Sequence, residues 1–496
     1  MADRAPLVEM TGVTKTYAGI TALADVDFTI RPGEAVCLAG ENGSGKSTLI
    51  KLLAGVERPD RGTIALDGVP HAAMTPTEAT RAGIAVIFQD FSLFPNLSVA
   101  ENIAFGAELS EGVRLFRGRH VRDLAARTLE RVGVPMDLSA LVERLPVAHK
   151  QLVAIGRALA SNARLIVMDE PTTALTDREV RVLLGIIRRL KADGVAVIFV
   201  SHKLAEVLEV SERVVVLRNG RVVAEGPALE FDAASLTRHM TGRDLAEARP
   251  TPLDPAASPL LRAEGLSKAG AFHDIGFTLH AGEVLGISGL LGSGRTALAK
   301  ALFGLVQPDQ GRVTLDGAEV PLGDPLRAAG AGIGYVPEDR LTEGLFLTQS
   351  ILRNVSVGRV EAHARGPLLD LNALAADARD WLARLRVKAP DPAAPVRSLS
   401  GGNQQRVVLA RWLARAPRVL ILNGPSVGVD VGSKAEIHGI IRDLAGQGLG
   451  VIVISDDLPE LLATCHRILV MVEGRIVEDI AGSEATEEGL ARRLAS

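Results

Sequence analysis

The chain has 496 residues, 47% of them hydrophobic and 23% charged, an ordinary globular balance with room for two or three domains with sizeable cores. A formal net charge of −4 gives no reason to expect a nucleic-acid partner, and two cysteines, Cys37 and Cys465, exclude a disulfide framework. No run approaches about 18 unbroken apolar residues, the N-terminal MADRAPLVEM lacks the apolar core of a signal peptide, and Cys37 reads as a reduced core residue; a cytoplasmic protein is expected, with any membrane role coming through a partner.

Taken in order, Leu7 to Val13 reads as a strand, and Tyr17 falls in the loop after it, where its ring either stacks on a base or simply packs. The apolar run Ala35–Ala39 leads into Gly40, Glu41, Asn42, Gly43, Ser44, Gly45, Lys46, Ser47 and Thr48, and then into a helical pattern. That stretch fits G-x-x-x-x-G-K-[ST] in the strand–loop–helix setting the motif requires, and it predicts nucleotide binding. The glycines let backbone N–H groups turn toward phosphate oxygens, and the helix aims its positive end at the same place. Lys46 can reach the β/γ-phosphates of a nucleotide and the Ser47 hydroxyl can bind Mg²⁺. Ala85–Phe88 reads as a strand ending in Gln89, which either touches Mg²⁺ and the attacking water or caps the strand. Arg164–Met168 reads as a strand closing on Asp169 and Glu170, where α/β sheets bind ligands. Asp169 is expected to hold Mg²⁺ through its hydration shell and Glu170 to polarise the attacking water. Val197–Val200 ends in Ser201 and His202, and His202 either meets the γ-phosphate or is structural.

The chain then repeats itself. Arg61–Gly68 (RGTIALDG) recurs as Gln310–Gly317 (QGRVTLDG), and Gly40 recurs as Gly289, both at an offset of 249. Leu145 matches Leu399, and Arg213–Leu217 matches Arg467–Met471, at 254, so about five residues are inserted within the second lobe. Residues 1–243 and 260–496 are predicted to form two homologous lobes, joined by a stiff proline-rich linker at 244–259. Each lobe alternates apolar strand runs with helical patterns, an α/β pattern with a parallel sheet, and the lobes are expected to pair within the chain.

The second lobe departs from the first at several aligned positions. Its loop, Gly289–Thr296 (GLLGSGRT), puts Arg295 where Lys46 stands, and Arg does not simply replace Lys at so tight a place. Glu338 matches Gln89, Asn423 and Gly424 match Asp169 and Glu170, and Asp456 matches His202. The loop matching the one with Tyr17 is shorter by four residues and has no aromatic at the matching point.

These motifs, in this order and with Leu399–Asn403 (LSGGN) in the second lobe, resemble the ATP-binding cassette (ABC) ATPases over nearly the whole chain. The resemblance implies two tandem P-loop NTPase cassettes, each a RecA-like parallel-sheet core with an antiparallel β subdomain and a helical subdomain. GLLGSGRT, YVPEDR and LSGGNQQ in the second lobe resemble the ATP-binding subunit of ribose/galactose-type monosaccharide importers, a layout shared by autoinducer-2 and nucleoside importers. In that family the cassettes stack head to tail, each ATP lying between one lobe's phosphate loop and the other's signature. Ser400, Gly401, Gly402 and Asn403 would then face the intact set, whereas Leu145–His149 (LPVAH), with Pro146, Val147 and Ala148 in place of Ser-Gly-Gly, would face the degraded one. One hydrolytic site and one degenerate site are expected. The resemblance also implies an integral-membrane permease docking at Gln89–Asn102 and Glu338–Asn354, a periplasmic solute-binding protein upstream of it, and a place on the cytoplasmic face of the cell membrane. Phe91, Leu93 and Phe94 either present an exposed contact there or lie buried under the helical subdomain. The rival reading is a soluble double-cassette ATPase not tied to transport.

Overall fold

The computed structural model describes residues 5–17, 19–71, 74–88, 90–110, 118–172, 175, 177–200, 209–242, 253, 257–290, 292–366 and 368–495. Two compact units divide between Leu245 and Ala246. Gln89 and His202, and most of the expected linker, lie outside the described residues.

In the first unit the strands are β1 (Val8–Tyr17), β2 (Ile20–Ile30), β3 (Ala35–Ala39), β4 (Arg61–Leu66), β5 (Val69–His71), β6 (Ile84–Ile87), β7 (Leu165–Asp169), β8 (Ala196–Val200), β9 (Arg213–Arg218) and β10 (Arg221–Pro227). The main sheet runs β10-β9-β3-β8-β7-β6, parallel except for the β9–β10 edge pair. Its central strands are unbroken apolar runs because both faces are covered, one of them by the helix Lys46–Leu53 together with residues of β1, β2 and β4; every residue of β3 and β8 is buried. The expected strands are all present, most shifted by one residue. One expectation needs correction: Tyr17 is not in a loop but is the last residue of β1, paired with Ile20. The polar alternation after Val13 continues an antiparallel ladder with one solvated face.

The second, antiparallel sheet is β2-β1-β4-β5. The sequence repeat is its tightest turn. Asp67 (φ 49°) and Gly68 (φ 77°) join β4 to β5, a two-residue hairpin whose twist matches the strands. In the second unit Asp316 (φ 48°) and Gly317 (φ 78°) do the same between β14 (Gln310–Leu315) and β15 (Ala318–Glu319). Each aspartate takes a bidentate arginine from the base of the main sheet: Arg164 on Asp67 at 2.7 Å for both contacts, Arg418 on Asp316 at 3.1 Å for both.

The second unit repeats the order. β16 (Ile333–Val336), β19 (Val419–Asn423), β20 (Gly450–Ile454), β13 (Val284–Gly289), β21 (Arg467–Val472) and β22 (Arg475–Ala481) form the main sheet in that sequence. β12 (Phe272–His280) and β11 (Pro259–Lys268) lead the antiparallel sheet. In the first unit a helical layer packs on its own apolar cluster, whereas in the second the helical residues Ala378 and Leu382 share one cluster with main-sheet residues such as Leu420 and Val451. In the first it comprises Val99–Ser110, Gly118–Val132 and Val147–Ala160 around Ile103, Ala125, Leu129 and Val153. Among the described residues no helix is long and apolar enough to cross a membrane.

Candidate functional site

In the first unit the phosphate loop leaves β3 at Gly40 and enters the helix Lys46–Leu53. Its path requires glycine at both ends. Gly40 has φ 151°, and a Cβ there would lie 2.4 Å from the Leu217 carbonyl oxygen. Gly45 has φ 112°, and a Cβ would lie 2.6 Å from the Ala22 carbonyl oxygen. The helix starts at Gly45 with no side-chain cap and no acidic residue in its first turn. Its N-terminal donors thus meet no built-in anion, the arrangement that suits a phosphate. Lys46 folds its ammonium over the loop, donating to the carbonyls of Gly40 (2.6 Å) and Glu41 (2.8 Å). Ser44 is buried and its hydroxyl has no hydrogen-bond partner, while Ser47 is exposed at the first helical turn. These residues fit a nucleotide triphosphate.

Asp169 ends β7, with Glu170 following it. Burial first, and then the neighbouring Glu170 carboxylate, push the Asp169 carboxyl up, against the pull of Lys46. Two crowded carboxylates beside one ammonium are a donor set that a divalent cation would relieve, so Asp169 and Ser47 fit Mg²⁺. Glu170 is held in left-handed backbone (φ 49°) by its N–H bond to the Val200 carbonyl at 2.9 Å. For a glutamate that is strained geometry at the residue expected to address water. Tyr17 is half-buried, with the Lys15 ammonium 5.3 Å from its ring centroid. A base would therefore have to stack on its other face.

The second unit keeps the backbone and changes the chemistry. Gly424 takes the place of Glu170 in the same conformation (φ 60°), with the same bond, to the Ile454 carbonyl at 2.8 Å. Asn423 is buried, so no carboxylate stands where Asp169 does. Arg295 is buried, donates to the Gly289 carbonyl, and pairs with Asp456 at 3.3 Å. The Thr296 hydroxyl lies 3.5 Å from the Glu338 carboxylate.

The signature residues open the helix Gly401–Leu413, with Ser400 exposed at its start and making no cap bond. Asn403 donates to the Ser400 hydroxyl at 2.9 Å and accepts the Lys388 N–H at 2.8 Å. Gly401 and Gly402 are also needed by their own lobe. A Cβ on the first would lie 2.6 Å from the Gly428 carbonyl oxygen, and on the second 2.4 Å from the Ser433 Cβ. In the first unit Pro146 starts the helix Val147–Ala160 without a side-chain cap, and Val147 is exposed.

The expected docking segments are built alike in the two units. Asn102, fully buried, bonds both ways with Phe94 and donates to the Leu97 and Ser98 carbonyls. Asn354 does the same for Phe346, Gln349 and Ser350. Of the three apolar residues weighed in the first segment, Phe94 is exposed, whereas Phe91 and Leu93 are half-buried, Leu93 against the helical cluster.

Sequence reasoning missed the arginines that hold these loops. Arg157 donates to the carbonyls of Ser92 (2.7 Å) and Phe91 (2.9 Å), both in left-handed backbone. Arg411 donates to the carbonyls of Gly344 and Asn354, each at 2.6 Å, and to the Asn354 side chain at 2.9 Å; burial pushes it down to about 10. Arg340 takes the carbonyls of Val427 (2.5 Å) and Gly428 (3.0 Å), tying the segment after β19 to its lobe. The one available signal was the repeat, which aligns Arg157 with Arg411 at the same offset of 254.

The profile of the ABC transporter family matches residues 23–173 and again 272–427. Similarity to individual proteins runs end to end. "Ribose import ATP-binding protein RbsA 2" of Streptomyces avermitilis is 43% identical over 98% of this chain and 96% of its own. "Ribose import ATP-binding protein RbsA 1" of Rubrobacter xylanophilus is 44% identical over 97% of each. "Ribose import ATP-binding protein RbsA" of Rhodococcus jostii is 44% identical over 97% of this chain and 96% of its own.

Proposed function

Because the chain belongs to the ABC transporter family, whose ATP-binding import proteins are ATPases coupled to transport, we propose that it energises uptake of a monosaccharide through a separate membrane permease. The observation that carries this reading is the end-to-end similarity to ribose import proteins, together with a complete catalytic set in the first lobe.

At that set, bound ATP supplies the phosphoryl group and Mg²⁺ neutralises charge developing on it. The chain's residues do the rest. The loop from Gly40 to Thr48 cradles the phosphates, and Lys46 swings from its carbonyl partners to meet them. Ser47, Asp169 and Gln89 would hold the metal, Glu170 would polarise the attacking water, His202 would meet the terminal phosphate, and Tyr17 would take the base. The resemblance implies a head-to-tail pairing in which Ser400, Gly401, Gly402 and Asn403 would close over that nucleotide. The same pairing would set the signature remnant at 145–149 against Arg295, Asn423, Gly424 and Asp456, a site expected not to hydrolyse. Closure on ATP and reopening after hydrolysis would move the permease through Gln89–Asn102 and Glu338–Asn354. The protein then sits peripherally on the cytoplasmic face of the membrane, with a periplasmic solute-binding protein feeding the permease.

Two measurements test this. Affinity purification from native membranes should bring a multi-span membrane protein in stoichiometric amount; ribosomes, DNA or nothing in its place would end the importer reading. Glu170→Gln should abolish ATP turnover, and appreciable remaining turnover would end the one-site reading.

A further inference from the structure

In the second lobe, both side chains that a phosphate loop offers to its ligand are engaged by carboxylates of the same lobe. Arg295 meets Asp456 at 3.3 Å, and Thr296 meets Glu338 at 3.5 Å. The aligned residues of the first lobe, His202 and Gln89, are not acidic. The residues on either side of Asp456 are fixed. Ser455, just before it, donates to the Glu460 carboxylate at 2.6 Å and accepts the Asp457 N–H at 3.1 Å. Glu460 is 1% exposed and bonded to His438 at 3.2 Å, and Asp457, just after Asp456, pairs with Lys434. His438 aligns with Leu184 in the first lobe.

The cradle itself persists. Gly294 has φ 92°, and a Cβ there would lie 2.1 Å from the Ala271 carbonyl oxygen. The helix Arg295–Leu302 starts with no side-chain cap and no acid in its first turn, and the buried Ser293 hydroxyl has no hydrogen-bond partner. Backbone donors for phosphate thus remain, while the cation that would answer a terminal phosphate already has its anion. A third phosphate would bring further negative charge against Asp456 and Glu338, and such like-charge contact is repulsive at any effective dielectric.

We propose that the second phosphate loop is a nucleoside-diphosphate site, in which Asp456 supplies from the protein the negative charge that a terminal phosphate would bring to Arg295. This deepens the reading of the second lobe as non-hydrolytic and rests on it.

The test uses the full chain carrying Lys46→Ala, which disables the first loop, titrated with fluorescent N-methylanthraniloyl ADP and ATP in the presence of Mg²⁺. ADP should bind near one equivalent and ATP at least about tenfold more weakly, a gap of one order in the binding constant. Adding Asp456→Asn should bring ATP to within about threefold of ADP, and adding Arg295→Ala should remove the ADP site. The Asp456 side chain is 70% exposed, so its replacement leaves the packing in place. Equal affinity for the two nucleotides, an unchanged ratio in Asp456→Asn, or no nucleotide bound at all would overturn the proposal. Failure of the one-site reading would show separately, as ATP turnover surviving Glu170→Gln, and failure of the importer reading as the absence of a permease.

Discussion

Exchanging the residues at positions 170 and 424 separates catalysis from stability. Glu170 has φ 49°, a conformation that costs a non-glycine residue about 1–2 kcal/mol. It also crowds Asp169, whose carboxyl is raised by burial and by Glu170. Glu170→Gly removes both penalties and adds about 0.5–1 kcal/mol of chain entropy to the unfolded state. The terms nearly cancel, and the net change should be within about 1 kcal/mol on the stabilising side, or about 2–4 °C in the melting temperature of a unit this size. ATP turnover should fall at least about 100-fold, because the carboxylate proposed to polarise water is gone. The reverse change is not symmetric. A Cβ at Gly424 would lie 2.8 Å from Val427 Cγ2 and 3.3 Å from Glu338 Cγ, in left-handed backbone, with a new carboxylate beside an old one. Gly424→Glu should cost about 2–4 kcal/mol and restore no turnover. Calorimetry of the nucleotide-free chain and a phosphate-release assay read both quantities. If Glu170→Gly melts more than about 4 °C lower, or keeps above about a tenth of the turnover, the assignment of strain to function is wrong.

Two further outcomes follow from buried polar groups. Arg411→Ala leaves the Gly344 and Asn354 carbonyls and the Asn354 side chain without their charged donor; it should lower stability by about 3–5 kcal/mol by calorimetry, and Arg411→Lys, which keeps the charge but not the fork, should recover only part of it. Burial works to raise the Glu460 carboxyl, but His438, Lys434 and Ser455 outweigh it and hold it below its ordinary 4.5. Its contribution is therefore complete above about pH 4.5 and is lost as pH falls through the lowered value, so Glu460→Gln should flatten the acid side of the melting-temperature profile; an unchanged slope would refute that.

The sequence made the architecture legible where one physical demand dominates a whole stretch. Ala35–Ala39 and Ala196–Val200 are buried on both faces, so their apolar runs had one reading. The Asp-Gly pairs of the repeat mark hairpins because few other dipeptides accept two left-handed residues in a row. Legibility failed where a residue's role depends on partners remote in sequence. Arg340 serves carbonyls 87 and 88 residues away, and Arg411 one at 67, and backbone acceptors leave no mark in the sequence. Tyr17 was misplaced because half-solvated ladder residues resemble a loop. Arg295 and Asp456 were each legible as departures; that they neutralise one another is a fact of geometry.

The replacements in the second lobe share a direction. Glu170 is strained, and Gly424 carries the same backbone without strain. Asp169 is a carboxylate that burial works against, and Asn423 is buried without charge. Lys46 and Arg295 both donate to loop carbonyls, and Arg295 also pairs with the Asp456 carboxylate. The change at Glu170 removes backbone strain, and the change at Asp169 removes a buried charge while leaving the buried Asn423 Nδ2 without a hydrogen-bond partner. Such tension is useful only where a ligand's differential binding is to be converted into chemistry. A lobe that had merely drifted would be expected to accumulate unsatisfied charges around its loop; here the Arg295 charge is paired and the position of Glu170 is relaxed. On the proposed reading, the second lobe is a site rebuilt to rest in one state.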